Sequence, residues 1–502
     1  MEKQTSCMKH LKTVFSQTRE FPVECDLILP DYYPEISRIL DCRIVLSEEA
    51  VTVTSDKISV AGKADVRLLY ISTAAELRSY DSILKYTRIV SGGDFEQGDI
   101  CFAEQTVTAI NYQAVSPRRI QIHASTAVKV KVMRISDLLL FTDADNLNIQ
   151  KRITERTGIQ INTMQYMRFD LEDKISLPVP RESITGMLRS SVRIIWSEIK
   201  TTDHKVMLSG TAEIAFVYIG DDNTVSREYN VSLPVKTIKE VFGICEGDSC
   251  CVNMMNTVLS IDLKNPAVGE NEAAISVQVC ALVVAGCEKE YQAVTDVYSL
   301  RGELKPQKQS VFTPERIIQK NEMIDVSGEI PVYDMSIKKV CDNDAADIVC
   351  TVAAEGDGMR LNGSFNMRTI VMAEDNGYYC FSRSCSFEYA VPEAPSSYYD
   401  VSILPLSFRT EITNEGKLRY YGKLQINMIV LPGTEEEIIT SAECVSDETQ
   451  QASERIILYY GEKGESLWQI AKENKATPES ISVFNNVKTD ILQEDQLLVF
   501  RA

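Results

Sequence analysis

Histidine is scarce in this chain of 502 residues, and the common nucleotide-binding and hydrolase motifs are missing. The three histidines, His10, His123 and His204, lie far apart, and none has a second histidine at the spacing of a metal site or a catalytic triad. Neither G-x4-G-K-S/T nor G-x-S-x-G occurs. The sequence therefore favours a protein that is not an enzyme and that needs no metal and no cofactor.

The chain also lacks a CxxC pair, a signal peptide and a long apolar run. Its 14 cysteines are irregularly spaced, and we expect them to be small core residues. No stretch reaches the roughly 20 apolar residues that a membrane helix needs. The balance of 52 basic and 72 acidic residues argues against nucleic acid, whose phosphates require lysine and arginine. We expect a cytosolic protein with no membrane span and no nucleic-acid partner.

One alternating apolar pattern, centred on a glycine, occurs three times. Every second residue is apolar or small in these segments, which is the period of a half-buried strand. The central glycines, Gly62, Gly210 and Gly363, each follow a proline by 32 residues. The three segments are Lys57–Ser72, Lys205–Gly220 and Gly358–Ala373. The chain is therefore predicted to be a threefold repeat.

Each repeat holds further alternating segments and no long helical period, which predicts a mainly β chain with three tandem all-β modules, sandwich-like or barrel-like. The short amphipathic run after each proline fits one or two helical turns or a bent strand. The central glycine predicts a bulge or tight coiling. We expect each module to have its own core. The predicted divisions are a helical or irregular arm at 1–20, repeats at 21–148, 149–300 and 301–445, a polar linker at 446–454 and a C-terminal domain at 455–502.

Residues 455–502 predict a small strand–helix–helix–strand unit, βααβ. Ser466 is expected to cap the first helix, with Gln469 reaching back in a capping box. Thr477 followed by Pro478 predicts the start of the second helix. The helical residues expected to be buried are Leu467, Ile470, Ala471, Ile481 and Phe484.

This C-terminal stretch resembles the LysM domain. The likeness rests on Gly464-Glu465-Ser466-Leu467-Trp468, Ile470-Ala471, Ile481, Asn485-Asn486 and Gln496-Leu497-Leu498. The resemblance implies binding of N-acetylglucosamine polymers, such as peptidoglycan or chitin, through two loops, residues 463–467 and residues 491–496. The implied binding residues are Lys463, Gly464, Glu465, Ser466, Leu467, Trp468, Asn485, Ile491, Leu492, Gln493, Glu494, Asp495 and Gln496.

Two features leave the ligand of this unit open. Glu494 and Asp495 stand where the family usually has Pro-Gly, which makes a protein ligand more plausible than a neutral sugar. Trp468 fits either stacking on a sugar or packing in the small core.

The three repeats resemble the SPOCS domain. The likeness rests on the Glu-x5-Pro opening of the first two repeats, on the amphipathic run and on the glycine-centred strand. Three such repeats with a LysM domain are similar to the LysM-containing spore coat morphogenetic proteins of endospore-forming clostridia. The resemblance implies a non-catalytic scaffold of the mother-cell cytoplasm, which the LysM domain recruits to the forespore surface by docking to the ATPase that polymerises there. A peptidoglycan-binding cell-wall protein is the alternative.

Overall fold

The computed structural model of the protein has three β modules in tandem, followed by a small C-terminal unit. Each module contains two three-stranded antiparallel sheets with a hydrophobic core between them. The structure describes residues 7–141, 149–263, 265, 267–332, 335–356, 358–392, 398–447 and 455–501. The predicted mainly β fold is thus confirmed.

The strands of the first two modules follow the same order. The first module has β1 (Cys7–Ile28), β2 (Ile36–Val53), β3 (Lys57–Ser72), β4 (Leu77–Ser91), β5 (Ile100–Ser116) and β6 (Arg119–Leu139). Its sheets have the orders β1-β6-β5 and β2-β3-β4. The second module has β7 (Ile149–Ser176), β8 (Ile184–Thr202), β9 (Lys205–Gly220), β10 (Tyr229–Glu240), β11 (Ser249–Asp262) and β12 (Glu272–Ser299). Its sheets have the orders β7-β12-β11 and β8-β9-β10.

The third module differs in that the strands corresponding to β7 and β12 of the second module are each divided into two shorter strands. Its strands are β13 (Gly302–Pro314), β14 (Ile318–Ile330), β15 (Ile337–Glu355), β16 (Gly358–Ala373), β17 (Tyr378–Val391), β18 (Tyr398–Ile412), β19 (Leu418–Leu431) and β20 (Gly433–Asp447). The sheets are β14-β19-β18, β15-β16-β17 and the pair β13-β20.

Each glycine-bearing segment is the middle strand of a three-stranded sheet, namely β3, β9 or β16. In β3 every second residue from Ile58 to Tyr70 is buried, as the alternating pattern predicted. At Gly62 a Cβ atom would collide with the Ser47 carbonyl oxygen and the Tyr86 ring, so the strands could not come this close with a larger residue. The pairing of β2 with β3 shifts register opposite this glycine, so the predicted bulge lies on the partner strand.

The amphipathic run after each proline is a bent strand. The register of β2 against β3 shifts between Ile36 and Arg38 and again between Ile39 and Asp41. The same two shifts occur near the start of β8 and of β15. Each bulge adds one residue to the strand, so apolar residues three apart stay on one face. This explains the helix-like spacing. One short helical turn is present in the second module, the 3-10 turn Arg181–Ser183, which comes directly before β8.

The predicted N-terminal arm is wrong in the part that the structure describes. Residues 7–20 form the first half of β1, and β1 pairs with β6 from Cys7 opposite Leu139 to Ile28 opposite Arg119. β6 supplies backbone partners along this whole length, which favours strand over helix for residues that are not strongly apolar. These residues therefore belong to the first module. Of the predicted linker at 446–454, Ser446 and Asp447 end β20, and residues 448–454 lie outside the described residues.

Three apolar clusters join the three modules. The smallest contains Leu138, Leu140, Ala293, Val311 and Ile438. The first, which we call the hub cluster, is built from equivalent positions of the repeats. Its matching sets are Leu69, Val217 and Ile370, seven residues after the central glycine, and Leu77, Val225 and Tyr378, fifteen residues after it. Because the same position of every repeat meets at one place, the modules surround a pseudo-threefold axis.

The second shared cluster, which we call the base cluster, includes Phe102 and Met133 from the first module and Met164 from the second. Tyr398 and Leu431 of the third module complete it. Each module also has apolar clusters of its own. Each module therefore has its own core, as predicted, but the modules are not independent, because each also presents apolar side chains that only its neighbours bury.

Candidate docking site on the C-terminal unit

The C-terminal unit contains two helices and one two-stranded antiparallel sheet, in the predicted order βααβ. Its elements are β21 (Ile456–Gly461), α1 (Leu467–Glu473), α2 (Pro478–Asn485) and β22 (Gln496–Arg501). The small core between the helices and the sheet contains Leu467, Ile470, Ile481, Leu498 and Phe500. This core supports the two loops that were predicted from the sequence to bind a ligand, residues 463–467 and 491–496.

Side chains cap the helices much as predicted. The Ser466 hydroxyl accepts from the Trp468 backbone N–H at 3.2 Å, and the Thr477 hydroxyl accepts from Ser480 at 3.1 Å. Two expectations are wrong. Gln469 donates its side-chain amide to Glu473 one turn later, so the capping box is incomplete. Phe484 is 57% exposed, because it lies on the outer side of α2 while Ile481 faces the core.

The two predicted loops do come together. Gly464 donates its N–H to the Leu492 carbonyl at 2.9 Å, and Leu492 donates back to the Glu465 carbonyl at 2.9 Å. Leu467 donates to the carbonyl of Asp490 at 2.8 Å. Backbone bonds of this kind hold residues 463–467 beside residues 490–492 as one surface.

The predicted binding residues differ in exposure. Leu467, Trp468 and Leu492 are buried, whereas Glu465, Ser466, Asn485 and Gln496 are half-buried. The exposed members are Lys463, Gly464, Ile491, Gln493, Glu494 and Asp495. Several of the polar groups make bonds within the unit, since Asp495 accepts from the Lys463 N–H at 2.8 Å and Asn485 accepts from the Val499 N–H at 2.7 Å.

Trp468 does not face solvent. It is 8% exposed, and its indole N–H donates to the Asp296 carboxylate of β12 at 2.8 Å. Its ring meets the Tyr298 ring edge-on, with the centroids 5.1 Å apart. The Tyr298 hydroxyl donates to the Ala476 carbonyl at 2.6 Å. Of the two sequence-based alternatives for Trp468, the structure has the packed one, and the packing is against the second module.

Asp296 is the polar centre of this contact. Its carboxylate also pairs with Lys472 of α1 at 2.7 Å. Burial alone would raise the pKa of Asp296, but the hydrogen bonds from Lys472 and Trp468 outweigh burial, so its pKa is lowered. We call the group Asp296, Tyr298, Trp468 and Lys472 the anchor. No sequence signal links its members, because they belong to two different folding units.

An exposed apolar surface lies on the side of the sheet that faces away from the helices. Ile456, Leu458 and Tyr460 of β21 are 73%, 68% and 65% exposed. Their cross-strand neighbours on β22 include Leu497 and Val499, which are also exposed. We call these five residues the apolar face. The apolar face was not predicted from the sequence. The signal for it is that residues 456–460 are apolar at every position, so both sides of the strand carry apolar side chains.

Residues 35–115 match the family model of the SipL, SPOCS domain. They run from just before β2 to the end of β5, and so include the whole sheet β2-β3-β4. This match supports a SipL-like family for the chain. No curated protein and no solved structure matches the chain.

None of the helices in the described residues is both long and apolar enough to cross a membrane. The described residues also contain no group of three or more histidine, cysteine, aspartate or glutamate side chains placed to hold a metal ion.

Proposed function

We propose that this protein is a non-catalytic, SipL-like assembly protein of the spore coat. In this proposal the C-terminal unit is a LysM domain that docks to a spore-surface protein, the coat ATPase that polymerises on the forespore. The three modules are SPOCS repeats that serve as the scaffold. The protein would act in the mother-cell cytoplasm and at the forespore surface. The SipL, SPOCS domain match at residues 35–115 supports the sporulation part of this proposal.

The apolar face is the observation that carries the docking part. Five neighbouring apolar side chains that remain in water are unfavourable for an isolated domain and typical of a protein interface. The buried Trp468 removes the one aromatic platform that a sugar could have used in the predicted loops. Exposed Glu494 and Asp495 beside these loops also suit a protein partner better than a neutral glycan.

Co-purification of the full chain with the coat ATPase tests the docking. We expect Leu458→Glu and Tyr460→Glu to abolish retention of the ATPase, because each places a charge in an apolar contact. The matched control is Val483→Glu, which changes an exposed apolar residue of α2 outside the apolar face. If both face variants retain the ATPase as well as the control does, this docking surface is wrong.

Peptidoglycan binding, the alternative, has its own readout. The full chain and the Leu458→Glu variant are sedimented with purified peptidoglycan. We expect neither to sediment. Sedimentation of both, reduced by changing the exposed loop residues Gln493 and Glu494 to alanine, would replace the protein-docking proposal by a glycan-binding function.

A further inference from the structure

A large chamber lined by apolar and charged side chains lies where the three modules meet. Its volume is about 1140 Å³, and all three modules contribute to its lining. The chamber borders the base cluster through Phe102 and Tyr398. Exposed Val45 and Ile83 are part of the lining as well, so the chamber opens to solvent beside the first module. A volume of this size is comparable to the clefts that hold small ligands.

Most charged side chains in the lining have protein partners. Arg43 pairs with Asp344 across the first and third modules at 2.5 Å, and Arg189 of the second module pairs with Asp342 of the third at 3.2 Å. These pairs account for the cations near the hub cluster. We call the end of the chamber that borders the base cluster the base end. Two cations there, Lys131 and Arg168, are not fully paired.

Lys131 of β6 has no acidic partner within 4 Å among the described residues. Its ammonium group instead lies 4.4 Å from the centroid of the Tyr398 ring. Burial lowers the pKa of Lys131, although the negative charge of Asp400 acts in the opposite direction.

Arg168 of β7 is the second incompletely used cation. One of its terminal nitrogens pairs with Glu48, but the buried Nε has no hydrogen-bond partner. An unmade hydrogen bond at a buried guanidinium costs on the order of 1–3 kcal/mol unless something else accepts it. The guanidinium lies near the Tyr166 ring, 5.9 Å from its centroid.

Aromatic rings surround these two cations. Tyr166 meets Phe102 edge-on with ring centroids 4.7 Å apart, and both line the chamber together with Tyr398. The base end therefore combines aromatic walls with two cations, Lys131 without an acidic partner within 4 Å among the described residues and Arg168 with an unpaired Nε. We propose that this end of the chamber binds a small planar organic anion, such as an aromatic carboxylate or sulfonate, with Lys131 and Arg168 as its counter-charges. This site is independent of the proposed docking function.

Asp400 gives the site a pH dependence. It is buried in the lining, and burial raises its pKa to about 6 even though Asn253 donates to it at 2.8 Å. When ionised, Asp400 competes with a bound anion for Lys131, so the anion should bind more tightly below about pH 6. The charged and titratable groups that act on Asp400 or lie beside it are Glu104 on β5, Lys129 and Lys131 on β6, Tyr166 on β7, Cys280 on β12 and Tyr398 on its own strand.

Fluorescence titration with 1-anilinonaphthalene-8-sulfonate, an aromatic sulfonate with a planar naphthalene ring, tests the site. The full chain carries Leu458→Glu, so that the apolar face does not bind the dye. We expect saturable binding at one site, about tenfold weaker in Lys131→Met, which corresponds to the loss of one charged contact. Lys85→Met, which removes an exposed lysine of β4, should bind as the parent does.

The result that overturns the proposal is absence of saturable binding, or equal affinity of the Lys131→Met and Lys85→Met variants. Should Lys131→Met fail to fold, Lys131→Gln serves in its place. The second measurement compares about pH 5 with about pH 7.5. Binding is expected to be tighter at the lower pH and to lose this dependence in Asp400→Asn. A pH dependence that persists in Asp400→Asn would remove Asp400 from the site.

Discussion

The three-module body buries apolar side chains where its modules meet, whereas the C-terminal unit leaves apolar side chains exposed on one side of its sheet. In the body, equivalent residues such as Leu69, Val217 and Ile370 converge on the pseudo-threefold axis and bury one another. In the C-terminal unit, Leu458 and Tyr460 remain in water. A closed arrangement of repeats satisfies its own apolar surface, whereas a small sheet covered on one side by helices does not.

The joints also differ in kind. The modules are joined by three apolar clusters that draw residues from every module. The C-terminal unit is joined to the body by the anchor, where one carboxylate, Asp296, binds both Trp468 and Lys472. We therefore expect the body to unfold as one piece, and we expect loss of the single carboxylate of Asp296 to weaken the attachment of the C-terminal unit.

The largest expected effect is in a module core. Leu208 of β9 is fully buried, and Leu208→Ala removes its side chain from the core of the second module. We expect a loss of about 2–5 kcal/mol in the free energy of unfolding. Because the clusters are shared, chemical denaturation should show one shifted transition for the whole body. Ile238→Ala, an exposed neighbour on β10, should change stability by less than about 0.5 kcal/mol. A separate early transition of the second module would contradict the shared clusters.

The next effect concerns Asp400, which is buried in the lining of the chamber. The pKa of Asp400 is about 6 in the folded chain against an ordinary 3.8, so the folded chain favours the neutral carboxyl and loses stability as the pH rises through about 6. Asp400→Asn should therefore stabilise the body by on the order of 2–3 kcal/mol at about pH 7.5 and by little at about pH 4. Urea denaturation at the two pH values measures this difference. Equal effects at both would contradict it.

A smaller effect is expected at the anchor. Asp296→Ala removes the acceptor of both Trp468 and Lys472, which should weaken the attachment of the C-terminal unit by about 1–3 kcal/mol. Trp196→Phe leaves Trp468 as the one remaining tryptophan of the two. In that background, its emission should shift to the red in Asp296→Ala. Glu290→Ala, at an exposed site of the same strand, is the control and should leave the emission unchanged.

The smallest effect is the response of the anchor to acid. The pKa of Asp296 is lowered in the folded chain, so its contribution is present above its ordinary value of 3.8 and disappears as the pH falls below it. The Trp468 emission should therefore shift to the red as the pH falls below 3.8. Asp296→Asn should lack this step. An unchanged step in that variant would assign it to another group.

Local features of the fold were predictable because they depend on residues close in sequence. The alternation around Gly62 sets a strand by itself, and Thr477 with Pro478 sets the start of α2. The bent strand after each proline was ambiguous, since two bulges give the same three-residue spacing as a helix turn. Residues 7–20 were misassigned because their strand depends on β6, more than a hundred residues away in the chain.

The candidate site shows the same limit. The loop residues were predicted and do come together, but Trp468 was undecided because its partners, Asp296 and Tyr298, lie in the second module. The chamber residues Lys131, Arg168 and Asp400 come from three different modules, and no spacing in the sequence relates them.

The sequence by itself determined that the chain repeats, that each repeat is built of strands and that a βααβ unit follows, because side-chain period and capping residues act over a few positions. Only the tertiary structure decided how the modules meet, that Trp468 is buried against the second module, and that Lys131 and Arg168 are incompletely paired. Burial and pairing of this kind depend on contacts between distant segments, and those contacts exist only once the chain has folded.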